Sequence, residues 1–207
     1  MNPRATTRNL LDQLEHRNFV VAVEAAKSLA DRRGPHVLSG LTRILRSARR
    51  AQAREASAYA LAWLRSRKAI DPLLACAADK KEHDTVRGQA MEGLANHLQF
   101  AVASSRKRVK AERLMSRLLT SRSPVLRFWA CFGVGSLGCR SAVPRLRELA
   151  ASDPGVCPGW WFVREEAEDA LDWIAGRPGQ ERVPIHLRKA ARPRRRTPKL
   201  RSRPTRC

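Results

Sequence analysis

Few residues in this chain have types and spacing that could support catalysis. One glycine motif, Gly133-Val-Gly-Ser-Leu-Gly138, has the GxGxxG spacing of a dinucleotide-binding loop. Such a loop needs a strand before it, a helix after it and an acidic residue about 20 positions further on. Here the glycines fall on small-residue positions of an internal repeat. We therefore interpret them as helix-packing residues.

Histidine and cysteine do not form a metal-binding pattern either. None of the five histidines has a second ligand at metal spacing on one helix face, and no pair of the five cysteines is spaced as CxxC. An odd number of cysteines also argues against a disulfide framework. The sequence therefore predicts no catalytic, cofactor-binding or metal-binding residue, and a protein that is not an enzyme.

Two features predict a cytoplasmic protein without membrane insertion. Met1–Phe19 carries charges throughout and has no apolar run of the kind found in a secretory leader. The longest uncharged stretch, Phe128–Cys139, is shorter than the roughly 20 residues of a spanning helix. The cysteines are then expected to be small core residues in a reducing compartment.

The charge of the chain points to an anionic partner. Lys and Arg total 41 against 19 Asp and Glu, a formal net charge of +22, which attracts polyanions. These cations concentrate in the second helix of each predicted repeat and in the C-terminal residues. The alternative is that they belong to solvated helix faces without a ligand. The candidate binding residues are Arg43, Arg46, Arg106, Lys107, Arg108, Arg113, Arg145, Arg194, Arg195 and Arg196.

The elements that must position these residues are set by an internal repeat. Five segments share an apolar position, then a position that is arginine in four of them, then small residues three and six positions later and an aliphatic residue at seven. These offsets trace one stripe along a helix, which lets a neighbouring helix approach closely. The segments are Val21–Arg32, Ala53–Leu64, Val86–His97, Leu126–Leu137 and Val163–Ile174.

Each segment except the last is followed by a second amphipathic segment after a short polar turn. Such helix–turn–helix units stack as an α-solenoid. The recurring arginines, Arg54, Arg87, Arg127 and Arg164, are expected to bond carbonyls or acids of the adjacent unit, with Asp84 and Asp153 as candidates. Trp63 and Trp173 share one repeat position, which predicts packing between repeats.

The segments Ala53–Leu74 and Val163–Ile174 resemble HEAT repeats, in particular the short bacterial type of phycobilin lyase subunits. The resemblance covers roughly residues 18–175. It implies an all-α solenoid of about five repeats whose second helices line the concave face. It implies little about function, since members range from lyase subunits to adaptors.

The chain changes character after Gly176. Residues 177–207 hold 12 basic residues, one acidic residue and five prolines, which predicts a disordered basic tail after a solenoid of residues 1–176. A segment at 183–190 is the alternative replacement for the missing last second helix. The leading hypothesis is an adaptor or scaffold that binds an acidic protein surface or a nucleic acid through the basic concave face and the tail. The alternatives are a dedicated nucleic-acid-binding protein and, less favoured, an enzyme resembling the HEAT-like DNA glycosylases or a lyase subunit.

Overall fold

A computed structural model describes residues 6–32, 34–64 and 66–188, and in these ranges it contains ten α-helices. Short 3-10 turns precede α5 and α9, and a third lies at Ile185–Leu187. No helix of the described ranges is both long and apolar enough to cross a membrane. The helices are α1 (Thr7–Leu14), α2 (Phe19–Ala30), α3 (Pro35–Ser47), α4 (Ala51–Trp63), α5 (Ile70–Ala78), α6 (Asp84–Leu98), α7 (Arg106–Leu118), α8 (Pro124–Ser136), α9 (Val143–Ser152) and α10 (Val163–Ile174).

The predicted solenoid is confirmed, and its first helices form one closely packed layer. Helices α2, α4, α6, α8 and α10 follow one another in this layer. The small residues of the repeat lie at the contacts: Ala90, Ala130 and Ala167 are fully buried. At Gly135, a Cβ atom would lie 2.7 Å from the Cα of Ala170, so only glycine allows α8 to approach α10 this closely.

The second helices form the other layer, and each packs chiefly on the first helix of the following unit. The close antiparallel pairs are therefore α1 with α2, α3 with α4, α5 with α6, α7 with α8, and α9 with α10. Between α3 and α4, for example, the buried Ser57 hydroxyl donates to the Leu41 carbonyl at 2.6 Å. Second helices contact one another only weakly, which leaves clefts between them. The concave shape of this side stays a prediction.

Three of the four recurring arginines connect neighbouring units as predicted. Arg127 donates to both carboxylate oxygens of Asp153 at 2.6 and 2.9 Å and to the Ser121 carbonyl at 2.8 Å. Arg87 donates to the Ala77 carbonyl and lies 3.5 Å from Asp84.

The third connecting arginine is Arg54, and Arg164 is the one that departs from the pattern. Arg54 forms the corresponding pair with Glu82, an acid that the repeat pattern does not single out, at 2.6 and 2.7 Å. Arg164 instead lies over the Phe162 ring at 3.9 Å. The long connection between α9 and α10 separates it from the end of α9.

The glycine motif has the packing role that the repeat predicts. Gly133 and Gly135 lie inside α8, where added side-chain atoms would meet Met115 and Ala170. Gly138 follows the helix with φ +65°, the left-handed conformation that glycine adopts without strain. No strand precedes the motif, since α7 and a short turn do.

The predicted boundary at Gly176 is too early. Residues 177–188 pack back on α10 instead of forming the start of a free tail, and we call them the strap. Arg182 reaches Asp169 at 2.6 Å and Glu168 at 2.9 Å with 7% of its side chain exposed, and Arg188 donates to Glu165 at 2.9 Å. The acidic face of α10 attracts this basic segment, which takes the place of the last second helix. Residues 189–207 lie outside the described residues.

Candidate interface for an anionic partner

A large open cleft lies on the second-helix face beside α3. It has a volume of about 1350 Å³ and lies between α3, the turn after α2 and the turn after α4. We call it the α3 cleft. Its polar lining is mainly cationic and hydroxyl, and its apolar lining comes from Pro35, Leu38, Trp63 and Leu64. The polar residues are Asp31, Arg32, Ser39, Thr42, Arg43, Arg46, Ser47, Ser66 and Lys68.

Three cations of the α3 cleft have no carboxylate partner within the described part of the chain. Arg43 and Arg46 lie one turn apart on the exposed face of α3, and Lys68 lies in the 3-10 turn before α5. Ion pairs elsewhere in the described residues do not include them, and Asp31 is the single acid in the lining. This cleft therefore offers positive charge that no carboxylate of the described ranges pairs with.

An indole ring borders the same cleft. Trp63 is 52% exposed at the end of α4, with its ring centroid 6.4 Å from that of Tyr59. The predicted packing between repeats is therefore wrong for Trp63. It is confirmed for Trp173, whose ring lies 5.7 Å from that of Phe132 and also meets Gly179 of the strap. The shared repeat position could not predict that Trp63 is exposed and Trp173 is packed, because the strap covers Trp173 and does not reach Trp63.

A second cleft, between α5 and α7, has mixed charge. Its volume is about 950 Å³, and its lining includes Arg113, Arg117 and Glu112 of α7 and Asp71 of α5. At its edge, Lys107 Nζ lies 2.7 Å from Asp71 Oδ2, and both side chains are largely exposed. Surface pairs of this kind contribute little to stability, but they reduce the positive charge that a ligand would meet.

Two of the predicted binding residues make contacts within the chain. Arg108 is 13% exposed, pairs with Glu112 at 2.9 Å, and donates to the carbonyls of Ala101, at 2.7 Å, and Leu137. These carbonyls follow the ends of α6 and α8, so Arg108 ties α7 to both helix ends.

Arg145 is similarly engaged. Its Nη1 lies 2.5 Å from Glu148, and its Nε donates to the Leu119 carbonyl at 3.4 Å. It borders a third, small polar cleft of about 490 Å³ that the Arg127–Asp153 pair also lines.

The ten predicted residues thus divide into three groups. Four are exposed and have no carboxylate contact among the described residues, three are engaged within the chain, and three lie outside the described ranges. The first group is Arg43, Arg46, Arg106 and Arg113; the second is Lys107, Arg108 and Arg145; the third is Arg194, Arg195 and Arg196. Lys68 and Trp63 were not predicted, and only their place in the fold reveals them.

A buried carboxyl lies at the other end of the solenoid. Glu166 is 1% exposed; its Oε2 accepts from the Trp161 indole at 2.8 Å, and its Oε1 has no hydrogen-bond partner among the described residues. Burial raises the pKa of Glu166 to about 8, and nearby Asp169 adds to this, while the Trp161 bond and Arg182 oppose it.

Burial likewise raises the pKa of the thiols near Glu166 and elsewhere. The pKa of Cys157 rises to about 12, and that of Cys131 also lies well above its usual value. Thiols in this state are poor nucleophiles and poor metal ligands. Within the described residues, no group of three His, Cys, Asp or Glu side chains is placed to hold a metal ion.

The Trp160–Trp161 pair belongs to an aromatic cluster that covers this end. The two rings lie 5.3 Å apart and pack on Phe128 and Trp129 at 5.5 to 6.1 Å. The Ile185 amide of the strap donates to the Trp160 carbonyl at 2.9 Å. Both rings are thus used in closing the last repeat.

Comparison with known proteins supports the repeat architecture. Residues 7–95 match the sequence model of HEAT repeats. Among curated protein sequences, none is significantly similar to this chain.

Solved structures share the fold over most of the chain. One belongs to the complex of CpcE and CpcF of phycocyanin lyase from Nostoc sp. PCC7120, with 23% identity, a TM-score of 0.64, and 80% of this chain and 97% of that chain covered. Another is a computationally designed armadillo repeat protein for modular peptide recognition, with 18% identity, a TM-score of 0.51 and 80% of each chain covered. At these identities the likeness concerns the fold.

Proposed function

From the premise that this chain is a HEAT-repeat solenoid, we propose that it is a non-enzymatic adaptor of the cytoplasm that binds an anionic protein partner through its second-helix face. The observation that carries the proposal is the α3 cleft, where Arg43, Arg46 and Lys68 face solvent without a carboxylate partner in the described residues. Repeat solenoids present extended surfaces of this kind to partners.

The distribution of ion pairs supports this assignment. The recurring arginines Arg54 and Arg127 are fully used in contacts within the chain, and so is Arg182 of the strap. Among the described residues, Arg43 and Arg46 on α3 and Arg106 and Arg113 on α7 are exposed and have no ion pair, and both helices belong to one layer. A protein partner with complementary charge would neutralise it and fix the orientation of the complex.

A second candidate function, nucleic-acid binding, is favoured by the ring of Trp63 beside these cations. Cationic grooves with exposed aromatic rings hold single strands by stacking and by phosphate contacts. Such binding would be strongly salt-dependent, with a slope of log K against log salt near −0.7 per phosphate contact for a single strand. No array of side chains for reading bases is evident on the same face.

A salt titration of the full chain tests the proposal. We expect a Glu-rich peptide to bind at low salt, and the variant Arg43→Glu/Arg46→Glu/Arg113→Glu to lose at least about tenfold in affinity. The control Lys80→Glu/Lys81→Glu changes exposed cations in the turn after α5, away from the clefts. Its affinity should stay within about threefold of the wild type.

A further variant distinguishes binding by the second-helix face from binding by the C-terminal arginines. Arg194→Glu/Arg195→Glu/Arg196→Glu should weaken the nonspecific binding of any polyanion, while the peptide still binds. The adaptor proposal is wrong if this variant alone abolishes binding. It is also wrong if single-stranded RNA binds much more tightly than the peptide and depends on the same α3 and α7 arginines.

A further inference from the structure

The α3 cleft has a geometry that selects among acidic partners. Helices α3 and α4 are joined by only three residues and pack against each other, so they run antiparallel. The last turn of α4, which carries Trp63, therefore lies beside the first turns of α3, which carry Pro35 and Leu38. Arg43 and Arg46 follow in the second half of α3.

Along α3, the apolar residues of the cleft therefore precede the cations, while Lys68 follows the end of α4. Leu38, Thr42 and Arg46 form one row along α3 at helical spacing, which presents an apolar, a hydroxyl and a cationic group in that order. Ser39, Arg43 and Ser47 form the neighbouring row. The 13 residues of α3 span about 20 Å. That length matches roughly six residues of an extended peptide or about four turns of a helix.

We propose that the α3 cleft binds an acidic peptide segment of a partner protein that carries one large aliphatic side chain. This side chain packs between Leu38 and Trp63, and carboxylates further along the segment pair with Arg43 and Arg46. The inference rests on the proposed adaptor function and names its partner class and its site.

Ring content and apolar surface favour a peptide over a nucleic acid in this cleft. Trp63 is the single aromatic residue in the described lining, whereas single-strand binding surfaces stack successive bases on several rings. Leu38, Pro35 and Leu64 offer apolar surface that an aliphatic side chain can cover and a phosphate cannot.

Fluorescence anisotropy with two labelled peptides tests the proposal on the full chain. Each peptide has the 13-residue length of α3 and is rich in Glu; one carries a single Leu near one end and the other carries Ser at that position. We expect the Leu peptide to bind about tenfold more tightly than the Ser peptide. Trp63→Ser should remove this difference while leaving the affinity for the Ser peptide within about twofold of that of the wild type.

Charge variants then test whether the carboxylates of the peptide pair with Arg43 and Arg46. Arg43→Glu/Arg46→Glu should weaken both peptides at least about tenfold, whereas Lys80→Glu/Lys81→Glu should change them less than about threefold. Unaltered thermal unfolding shows that each variant is folded. A single-stranded oligonucleotide should fail to displace the Leu peptide at equal concentration.

The outcomes distinguish the two proposals. If neither peptide binds at low salt, both the adaptor function and the cleft assignment are wrong. If both bind but Trp63→Ser or Arg43→Glu/Arg46→Glu has no larger effect than the lysine control, the adaptor function stands and the cleft assignment is wrong. Displacement of the peptide by the oligonucleotide would assign the cleft to nucleic acid.

Discussion

At the scale of single residues, Glu166 keeps its proton at pH values at which a carboxyl in water is ionised. Its carboxyl is enclosed by α8 and α10, with the Trp161 indole on one oxygen and no hydrogen-bond partner among the described residues on the other. The titratable and charged groups around it are Asp169, Arg182 and the protonated thiols of Cys131 and Cys157. Because ionisation would place a charge in this enclosed position, the folded protein retains the proton up to a pKa of about 8.

This raised pKa predicts a stability that falls with pH. The unfolded chain releases the Glu166 proton near pH 4.5, and the folded protein releases it near pH 8, so the free energy of unfolding decreases as the pH rises through this window. Glu166→Gln has no proton to lose. Its unfolding free energy, measured with urea, should match the wild type below about pH 4 and exceed it by on the order of 5 kcal/mol above about pH 8.

Glu24→Gln serves as the control for this pH dependence. Glu24 is exposed and paired with Lys27, so its removal should shift the stability by less than about 1 kcal/mol without this pH dependence. Parallel pH profiles for Glu166→Gln and the wild type would show that Glu166 ionises normally in the folded protein.

The sequence identified the basic layer but could not identify which of its cations are available. Arg43 and Arg108 both lie on second helices, but Arg108 donates to the Leu137 carbonyl, 29 residues away, and to the Ala101 carbonyl. Lys107 is likewise paired with Asp71 across 36 residues. Contacts between segments this far apart depend on the packed fold, which composition and periodicity do not specify.

At the scale of elements, the strap is the part that departs most from expectation. Its composition is that of a solvated basic segment, yet it packs because α10 carries five carboxylates within 12 residues. Two of them, Glu166 and Asp169, are buried. The density of acids on a terminal helix is the sequence signal that could have indicated an internal basic partner.

The strap gives a matched pair of substitutions. Arg182→Gln removes the buried partner of Asp169, which is 2% exposed, and should cost on the order of 3 kcal/mol of unfolding free energy because a buried carboxylate loses its counter-charge. Arg177→Gln removes an exposed pair with Asp172 and should cost less than about 1 kcal/mol. Limited trypsin digestion should also cut the Arg182→Gln variant faster at Arg177 and Arg188. Equal stabilities for the two variants would mean that Asp169 does not depend on the strap.

The helices themselves were predictable from residue spacing. The stripe of small residues that predicts close packing lies at the contacts between first helices, from Ala90 to Ala167. The pairing of helices was not predictable, because each second helix could pack on the first helix of its own unit or of the next. The structure resolves this in favour of the next unit.

At the scale of the whole molecule, the net charge of +22 opposes the compact state. Like charges repel more strongly when the chain is folded, and salt screens that repulsion. We expect the urea midpoint of the full chain to rise when sodium chloride increases from about 50 mM to about 500 mM. A falling midpoint would mean that pairs such as Arg54–Glu82 and Arg127–Asp153 outweigh the repulsion.

Each closely packed helix pair combines the second helix of one repeat with the first helix of the next. This offset determines where the array can be divided. A fragment cut at the repeat borders, beginning near Asn18, separates α2 from α1, one of the two helices on which α2 mainly packs. A fragment from Gly34 to Leu64 would instead carry the whole α3/α4 hairpin. Duplication, shortening or transplantation of units should therefore follow hairpin borders, and by that count the ten described helices form five complete modules with none left over.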